Sequence, residues 1–150
     1  MLRHSLLGLA LALALGLGGS AGLAGGKTDP VKVQASAGKS AGQTQVVLVE
    51  LKIDKGWHVY ANPVDREELV DAETVVTVKA GGKAVRATVN YPEGKTHTDK
   101  AVGTFKVYEG KVVIPVEFTK TDAAVEVSVR FQACDESRCL PPKTVKLSVK

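Results

Sequence analysis

Four stretches of this 150-residue chain place an apolar side chain at every second position. Val47, Val49, Leu51 and Ile53 face one way with Glu50 and Lys52 between them, and Val112, Ile114, Val116 and Phe118 repeat the pattern. Val125, Val127, Val129 and Phe131 do so again with Glu126, Ser128 and Arg130 opposite, and Val145, Leu147 and Val149 close the chain. Successive side chains of a strand point to opposite faces, so this alternation describes strands with one face buried and one solvated. Thr74 to Lys79 and Ala84 to Tyr91 are also Val-rich and strand-like, divided by Gly81-Gly82. Turn signals fall between the runs at Asp54-Lys55-Gly56, Asn62-Pro63, Pro92-Glu93-Gly94 and Glu109-Gly110. The last, a two-residue spacer between Tyr108 and Lys111, predicts a hairpin. Apart from the amino-terminal run, helical periodicity is confined to a short turn near Asp65 to Val70. About eight short strands with frequent turns predict an all-β, immunoglobulin-like β-sandwich.

The amino terminus follows a different rule. Arg3 and His4 give a basic start, Leu6 to Leu17 is an almost unbroken run of Leu, Ala and Gly, and small residues follow through Ala24. That order is the layout of a secretory signal peptide, with cleavage after Ala21 or Ala24 and residues 1–24 taken as the signal. The run is short for a ~20-residue membrane span and its flank is Gly-rich rather than charged, so no stable membrane insertion is expected once the signal is removed. Residues 25–43 are polar, with Gly and Ser, and are read as a flexible segment holding one strand-like piece at Val31-Lys32-Val33. Residues 44–150 form the expected sandwich domain, and the whole remainder of about 125 residues suits one domain. The formal charge of +4 is scattered, with lysines alternating against Asp and Glu. A nucleic-acid surface would cluster its basic residues, so nucleic acid is not an expected partner. The expected location is periplasmic or secreted, in a bacterium.

Two cysteines in an exported chain narrow the chemistry, because thiol pairs outside the cytoplasm oxidise unless something reduces them. Cys134 and Cys139 stand five positions apart, with Asp135-Glu136-Ser137-Arg138 between them and Leu140-Pro141-Pro142 after. A strand ending at Phe131 and the last strand would form a hairpin with one cysteine on each arm near the tip, close enough for a disulfide. Closing a loop of about six residues contributes only ~2 kcal/mol, less than a bridge between distant strands. Asp135 and Glu136 disfavour a thiolate and Arg138 beside Cys139 favours one, which makes Cys139 the better nucleophile. Spacing alone leaves a redox site and a structural bridge equally open.

Phe131-Gln132-Ala133-Cys134, with Cys139-Leu140-Pro141-Pro142, resembles the cysteine hairpin of the amino-terminal periplasmic domain of the DsbD thiol:disulfide interchange family. Gly56-Trp57-His58-Val59-Tyr60, Tyr91-Pro92-Glu93-Gly94 and Val107-Tyr108-Glu109-Gly110 leading into Val113-Ile114-Pro115-Val116 resemble the same family, in the same order. The resemblance implies an immunoglobulin-like fold and a relay of electrons from a membrane-embedded protein, through a thioredoxin-like module, to periplasmic oxidoreductases. It implies that Cys139 makes the mixed disulfide and Cys134 resolves it, with Tyr60, and with them Trp57 and His58, beside the pair. No cofactor is implied beyond the cysteines themselves. The chain departs from the family in ending at Lys150, so the membrane and thioredoxin-like parts of a relay would lie on other polypeptides. It also departs in the loop that shields the cysteines: His97 to Gly103 holds no aromatic cap, Ala101 or Val102 takes that position, and Phe105 comes slightly too late.

Other readings of the same residues stand beside this one. Trp57 and Tyr60 suit ordinary core packing equally well, and His97, in a polar loop, reads as solvated. His58, His97, Cys134 and Cys139 have the donor chemistry for zinc or copper(I), without ligand spacing among them. A non-enzymatic binding sandwich clipped by a permanent Cys134–Cys139 bridge is the main alternative. No Ser/His/Asp set, phosphate loop or paired carboxylates support hydrolase or nucleotide chemistry.

Overall fold

A computed structural model describes residues 29–149; the amino-terminal run read as an export signal lies outside the described residues. Strand β1 (Val31–Ala37) pairs antiparallel with β2 (Thr44–Ile53) over its whole length. The strand-like piece at Val31 therefore continues four residues further than the sequence pattern indicates, because Ala35 and Ala37 carry too little side chain to register as alternation.

Next come β3 (His58–Tyr60), a 3-10 turn at Glu67–Ala72, β4 (Val75–Ala80), β5 (Lys83–Val85) and β6 (Ala87–Val89). They are followed by β7 (Lys95–Asp99), β8 (Gly103–Tyr108), β9 (Lys111–Thr119), β10 (Val125–Phe131), β11 (Ala133–Cys134) and β12 (Lys143–Val149). One sheet has the order β1-β2-β9-β6 and a second β12-β10-β4-β5. Their inner faces form the core of a sandwich. Val47, Val49 and Leu51 of β2 meet Ile114 and Val116 of β9 and Val127 and Val129 of β10, all at 0 % exposure. The alternation in the sequence is the inward half of these strands, removed from water by the facing sheet.

A third sheet, β11-β3-β8-β7, sits at one end of the sandwich. It is built from the continuations of core strands: β2 turns into β3, β8 leads into β9, and β10 continues past Gln132 into β11. The expected hairpin at Glu109-Gly110 is therefore not one. β8 and β9 belong to different sheets, and Gly110, at φ 63°, turns a corner between them while its carbonyl accepts the Ile53 N–H at 2.8 Å. The Ala84 to Tyr91 segment is likewise two strands: β5 pairs with β4 and β6 with β9, so the chain crosses between sheets at Arg86.

Pro115 lies within β9 without breaking it. The Asn90 N–H donates to the Pro115 carbonyl, so the side on which Pro115 lacks a donor faces β6, whose ladder has just ended at Val89 opposite Val116.

Leu51 is fully enclosed between the sheets, whereas Val113 on the outer face of β9 is 38 % exposed. Leu51→Ala is expected to cost about 2–5 kcal/mol of unfolding free energy, and Val113→Ala about 0.5 kcal/mol or less, in urea denaturation.

Candidate functional site

The third sheet carries the two cysteines. β11 is only Ala133 and Cys134, paired with Val59 and His58 of β3. Beyond it the chain makes a tight loop and returns, so that Cys134 and Cys139 face each other in an antiparallel bridge and are joined as a disulfide. Asp135 builds the loop. Its Oδ1 accepts the backbone N–H groups of Ser137 and Arg138, both at 2.8 Å, and the Ser137 hydroxyl at 2.9 Å. The Ser137 N–H foremost, with the Ser137 hydroxyl, the Arg138 N–H and the Arg138 charge, holds the Asp135 carboxyl below its ordinary range. The acidic residue between the cysteines is thus a turn former. Arg138 in turn lies 3.6 Å from the Asp135 carboxylate and 5.8 Å above the Trp57 ring, so its charge is shared rather than aimed at Cys139 alone.

The two sulfurs are unequal. Cys134 is 2 % exposed and packs with Tyr60, Val64, Phe105 and Val107 in a small core of its own, while Cys139 is exposed. The Tyr60 hydroxyl lies 3.6 Å from the Cys134 sulfur and 3.9 Å from that of Cys139. A disulfide sulfur has no proton to give, so the hydroxyl is the donor in both contacts. Burial, and then the Asp99 carboxylate, push the Tyr60 phenol above its ordinary value and keep it protonated. Thr74, fully buried, fixes this tyrosine by donating both its N–H (3.1 Å) and its hydroxyl (2.7 Å) to the Tyr60 carbonyl.

Of the residues singled out in the sequence, Tyr60 is against both sulfurs. His58 is buried and T-shaped to the Tyr60 ring at 6.1 Å, and its backbone pairs with Cys134. Trp57 is half-buried and reaches the pair through Arg138. Val102 lines the cleft of about 220 Å³ that holds the disulfide, whereas Ala101 is exposed and outside it.

Three residues were misjudged or missed. His97 is not a solvated loop residue: it sits on β7 opposite Phe105, with its ring 4.8 Å from His58 and 5.1 Å from Phe105. Phe105 is not a cap over the disulfide but a core residue of the site, 4 % exposed and 5.5 Å from the Tyr60 ring. Asp99 ties down the shielding loop by accepting the N–H groups of Ala101 (2.8 Å) and Val102 (2.9 Å). An Asp two or three residues before the amides it caps is a readable turn signal; the ring contacts of His97 depend on strand pairing and leave no local trace. Burial first, and then the neighbouring His97, lower the His58 pKa. Among the described residues no group of three or more His, Cys, Asp or Glu side chains is gathered as a metal would require.

The fold and the sulfur pair define a class: an immunoglobulin-like sandwich with a cysteine hairpin at one end. A family described as "Thiol:disulfide interchange protein DsbD, N-terminal" matches residues 27–150, and the chain belongs to that family. It is 27% identical over 59 residues to the thiol:disulfide interchange protein DsbD of Actinobacillus pleuropneumoniae serotype 5b (strain L20), a match covering 39% of this chain and 10% of that protein. The chain thus spans a small part of that relative's length. In fold it is similar to the N-terminal periplasmic domain of ScsB from Proteus mirabilis (TM-score 0.62, 19% identity, 80% of this chain and 46% of that one). It is also similar to the reduced Neisseria meningitidis DsbD n-terminal domain (TM-score 0.51, 20% identity, covering 79% and 83%). A complex of the DsbD N-terminal and PilB N-terminal domains from Neisseria meningitidis contains a further similar fold (TM-score 0.54, 16% identity, covering 76% and 80%).

Tyr60, Tyr91 and Tyr108 are the three tyrosines of the chain, and burial raises the pKa of each above the ordinary value of a tyrosine. An acid whose folded pKa is raised adds stability that is complete below its unfolded pKa and is lost as pH rises through the folded one. Tyrosinate absorbance is therefore expected to stay low at pH 10 in the folded protein, with stability falling above that pH; half-ionisation at pH 10 without unfolding would contradict the burial.

Proposed function

We propose that this domain exchanges its Cys134–Cys139 disulfide with thioredoxin-like oxidoreductases in the bacterial periplasm, relaying electrons supplied by a membrane-linked reductase. One observation carries the reading. The disulfide joins a buried sulfur to an exposed one, both within reach of a protonated hydroxyl. Membership of the DsbD amino-terminal family supports the same chemistry, and the complex named for a relative supports partners of the PilB type. Among the described residues no helix is long and apolar enough to cross a membrane, so the electron supply is assigned to another protein or segment.

In the reducing direction the Cys139 thiolate attacks one sulfur of a partner disulfide and the other partner sulfur leaves as a thiolate. Cys134, deprotonated, then attacks the Cys139 sulfur, re-forms the internal disulfide and releases the partner as a dithiol. Two electrons and two protons pass to the partner. Cys139 takes the first step because an outside sulfur can reach it; Cys134 takes the second because burial beside Cys139 keeps it from outside competitors. Tyr60 donates to whichever sulfur carries the negative charge, and Thr74 keeps it in place. Val102 and His58 wall the cleft. The residues preceding the domain, 1–24, are assigned to an export signal.

Cys134→Ala is expected to accumulate mixed disulfides through Cys139, while Cys139→Ala accumulates none; capture through Cys134 would reverse the roles. The reduction potential of the pair is expected above about −300 mV, and a value well below that would make the bridge a structural clip. Tyr60→Phe keeps the ring and removes the donor. Its exchange rate is expected to fall roughly tenfold, the equivalent of one hydrogen bond to a charged group of about 1.5 kcal/mol.

A further inference from the structure

Two hollows are bordered by residues of the cysteine hairpin. One is the cleft already described, whose charged lining is three carboxylates, Asp99, Asp135 and Glu136, against the single guanidinium of Arg138. The other is a groove of about 740 Å³ bordered by Arg138 and Leu140, the residues on either side of Cys139 in the chain. Its walls are Trp57, Arg138, Leu140, Pro141 and Pro142, and its far end is the Lys143–Asp29 ion pair. Cys139 lies in sequence between Arg138 and Leu140, which both face this groove.

We infer that this groove is the docking surface for the thioredoxin-like partner and receives the apolar segment that borders the partner's reactive cysteine. The inference rests on the exchange reading above and adds to it the surface that chooses the partner. Cys134 is closed off beneath Tyr60, so an incoming sulfur must arrive at Cys139 and its chain must lie over one of the two hollows. The cleft sets three carboxylates and one guanidinium around the incoming thiolate, a net negative lining, whereas the groove carries Arg138 and Lys143 against Asp29, a net positive one. The apolar side chains of the cleft, Val102 and Phe105, lie behind its carboxylates, whereas in the groove Trp57, Leu140, Pro141 and Pro142 form most of the wall.

Its walls are set before any partner arrives. The Trp57 backbone N–H donates to the Asp54 carbonyl at 3.0 Å, and the Arg138 guanidinium lies over the indole while paired with Asp135. The Leu140 N–H donates to the Ala133 carbonyl (2.8 Å), and the Leu140 carbonyl accepts from the Gln132 side chain (3.1 Å). Leu140 therefore presents only its side chain, and the two prolines have no N–H to offer. A surface whose backbone at Leu140 is already hydrogen-bonded and whose prolines lack an N–H offers side-chain contact rather than backbone pairing. The occupant is a thioredoxin-like domain with apolar residues next to its cysteine and an acidic group placed to meet Arg138.

The test compares two reductants on the oxidised protein: reduced thioredoxin, which must dock, and dithiothreitol, which need not. With either, one thiolate attacks the Cys139 sulfur, Cys134 leaves as a thiolate, and the second thiol of the reductant displaces Cys139. The reductant is oxidised to a disulfide and the pair gains two electrons and two protons. Trp57→Ala, Leu140→Ser and Pro142→Asp are each expected to lower the ratio of the thioredoxin rate constant to the dithiothreitol rate constant roughly tenfold, as loss of an interface anchor does. Arg138→Glu is expected to lower it further at low salt than at high salt. Pro142 and Arg138 are exposed, so their variants serve if Trp57→Ala fails to fold. Unchanged ratios in all four variants would overturn the groove, as would equal slowing with both reductants, which would place these residues in control of the sulfurs themselves. Wild-type protein that dithiothreitol reduces and thioredoxin does not would instead overturn the exchange reading on which the groove depends.

Discussion

The site hangs on two residue pairs, Ala133 with Val59 and Cys134 with His58. Through them the cysteine hairpin is stitched to β3, and through β3 to β8. Both strands continue into the core sheets, so the position of Cys134 is inherited from the sandwich rather than from the loop that carries it. Gln132 and Leu140 close the hairpin just below the disulfide, the Leu140 N–H on the Ala133 carbonyl and the Gln132 amide on the Leu140 carbonyl. Such short strands have little stability alone; here they are ends of longer ones, and the cooperative unit is the whole sandwich.

This origin also explains the inequality of the sulfurs. Cys134 is the last residue of a core strand and inherits its burial, while Cys139 is on the returning arm, beyond the sheet's cover. The small cluster around Cys134 unites Tyr60 of β3 with Phe105 and Val107 of β8, and Leu69, Ala72 and Val102 pack against its edge. The polar groups there are few and each is accounted for. Tyr60 presents its hydroxyl to the sulfurs, its carbonyl is taken twice by Thr74, and the shielding loop is held by Asp99. A hydroxyl kept protonated by burial is a donor over the whole range in which thiols ionise.

The core was legible in the sequence because β2, β9 and β10 each bury one face against a facing sheet, and that geometry imposes the period of two. What the alternation cannot encode is which strands pair. Glu109-Gly110 has the composition of a hairpin turn whether its strands pair or part, and the parting is decided by the distant partners of β8 and β9. β3 and β11, at three and two residues, are too short for a period to appear at all, yet they hold the site. Cys134, Cys139 and Tyr60 were visible through the motifs around them. His97 stands between Thr96 and Thr98 and looks solvated locally; only its register opposite Phe105 brings it to His58. Asp135 is the reverse case: its charge suggested an effect on the cysteines, while its hydrogen bonds spend that charge on the turn.

The absence of an aromatic cap bears on how such a pair can be protected. Val102 stands beside the disulfide where a larger ring would cover it, and the loop is held from both sides. Asp99 takes two of its amides, and Gly103, at φ 92°, passes so close to Arg66 that a Cβ there would come within 2.9 Å of the guanidinium. A lid protects by blocking both sulfurs and must move before a partner can react, so its opening enters the rate. Depth protects one sulfur only and requires no movement. With Cys134 sunk among Tyr60, Phe105 and Val107, the Cys139 sulfur is the one open to a reactant from outside. In the exchange proposed above, selectivity among partners falls to the surface around Cys139, where Arg138 is held by Asp135 and lies over Trp57.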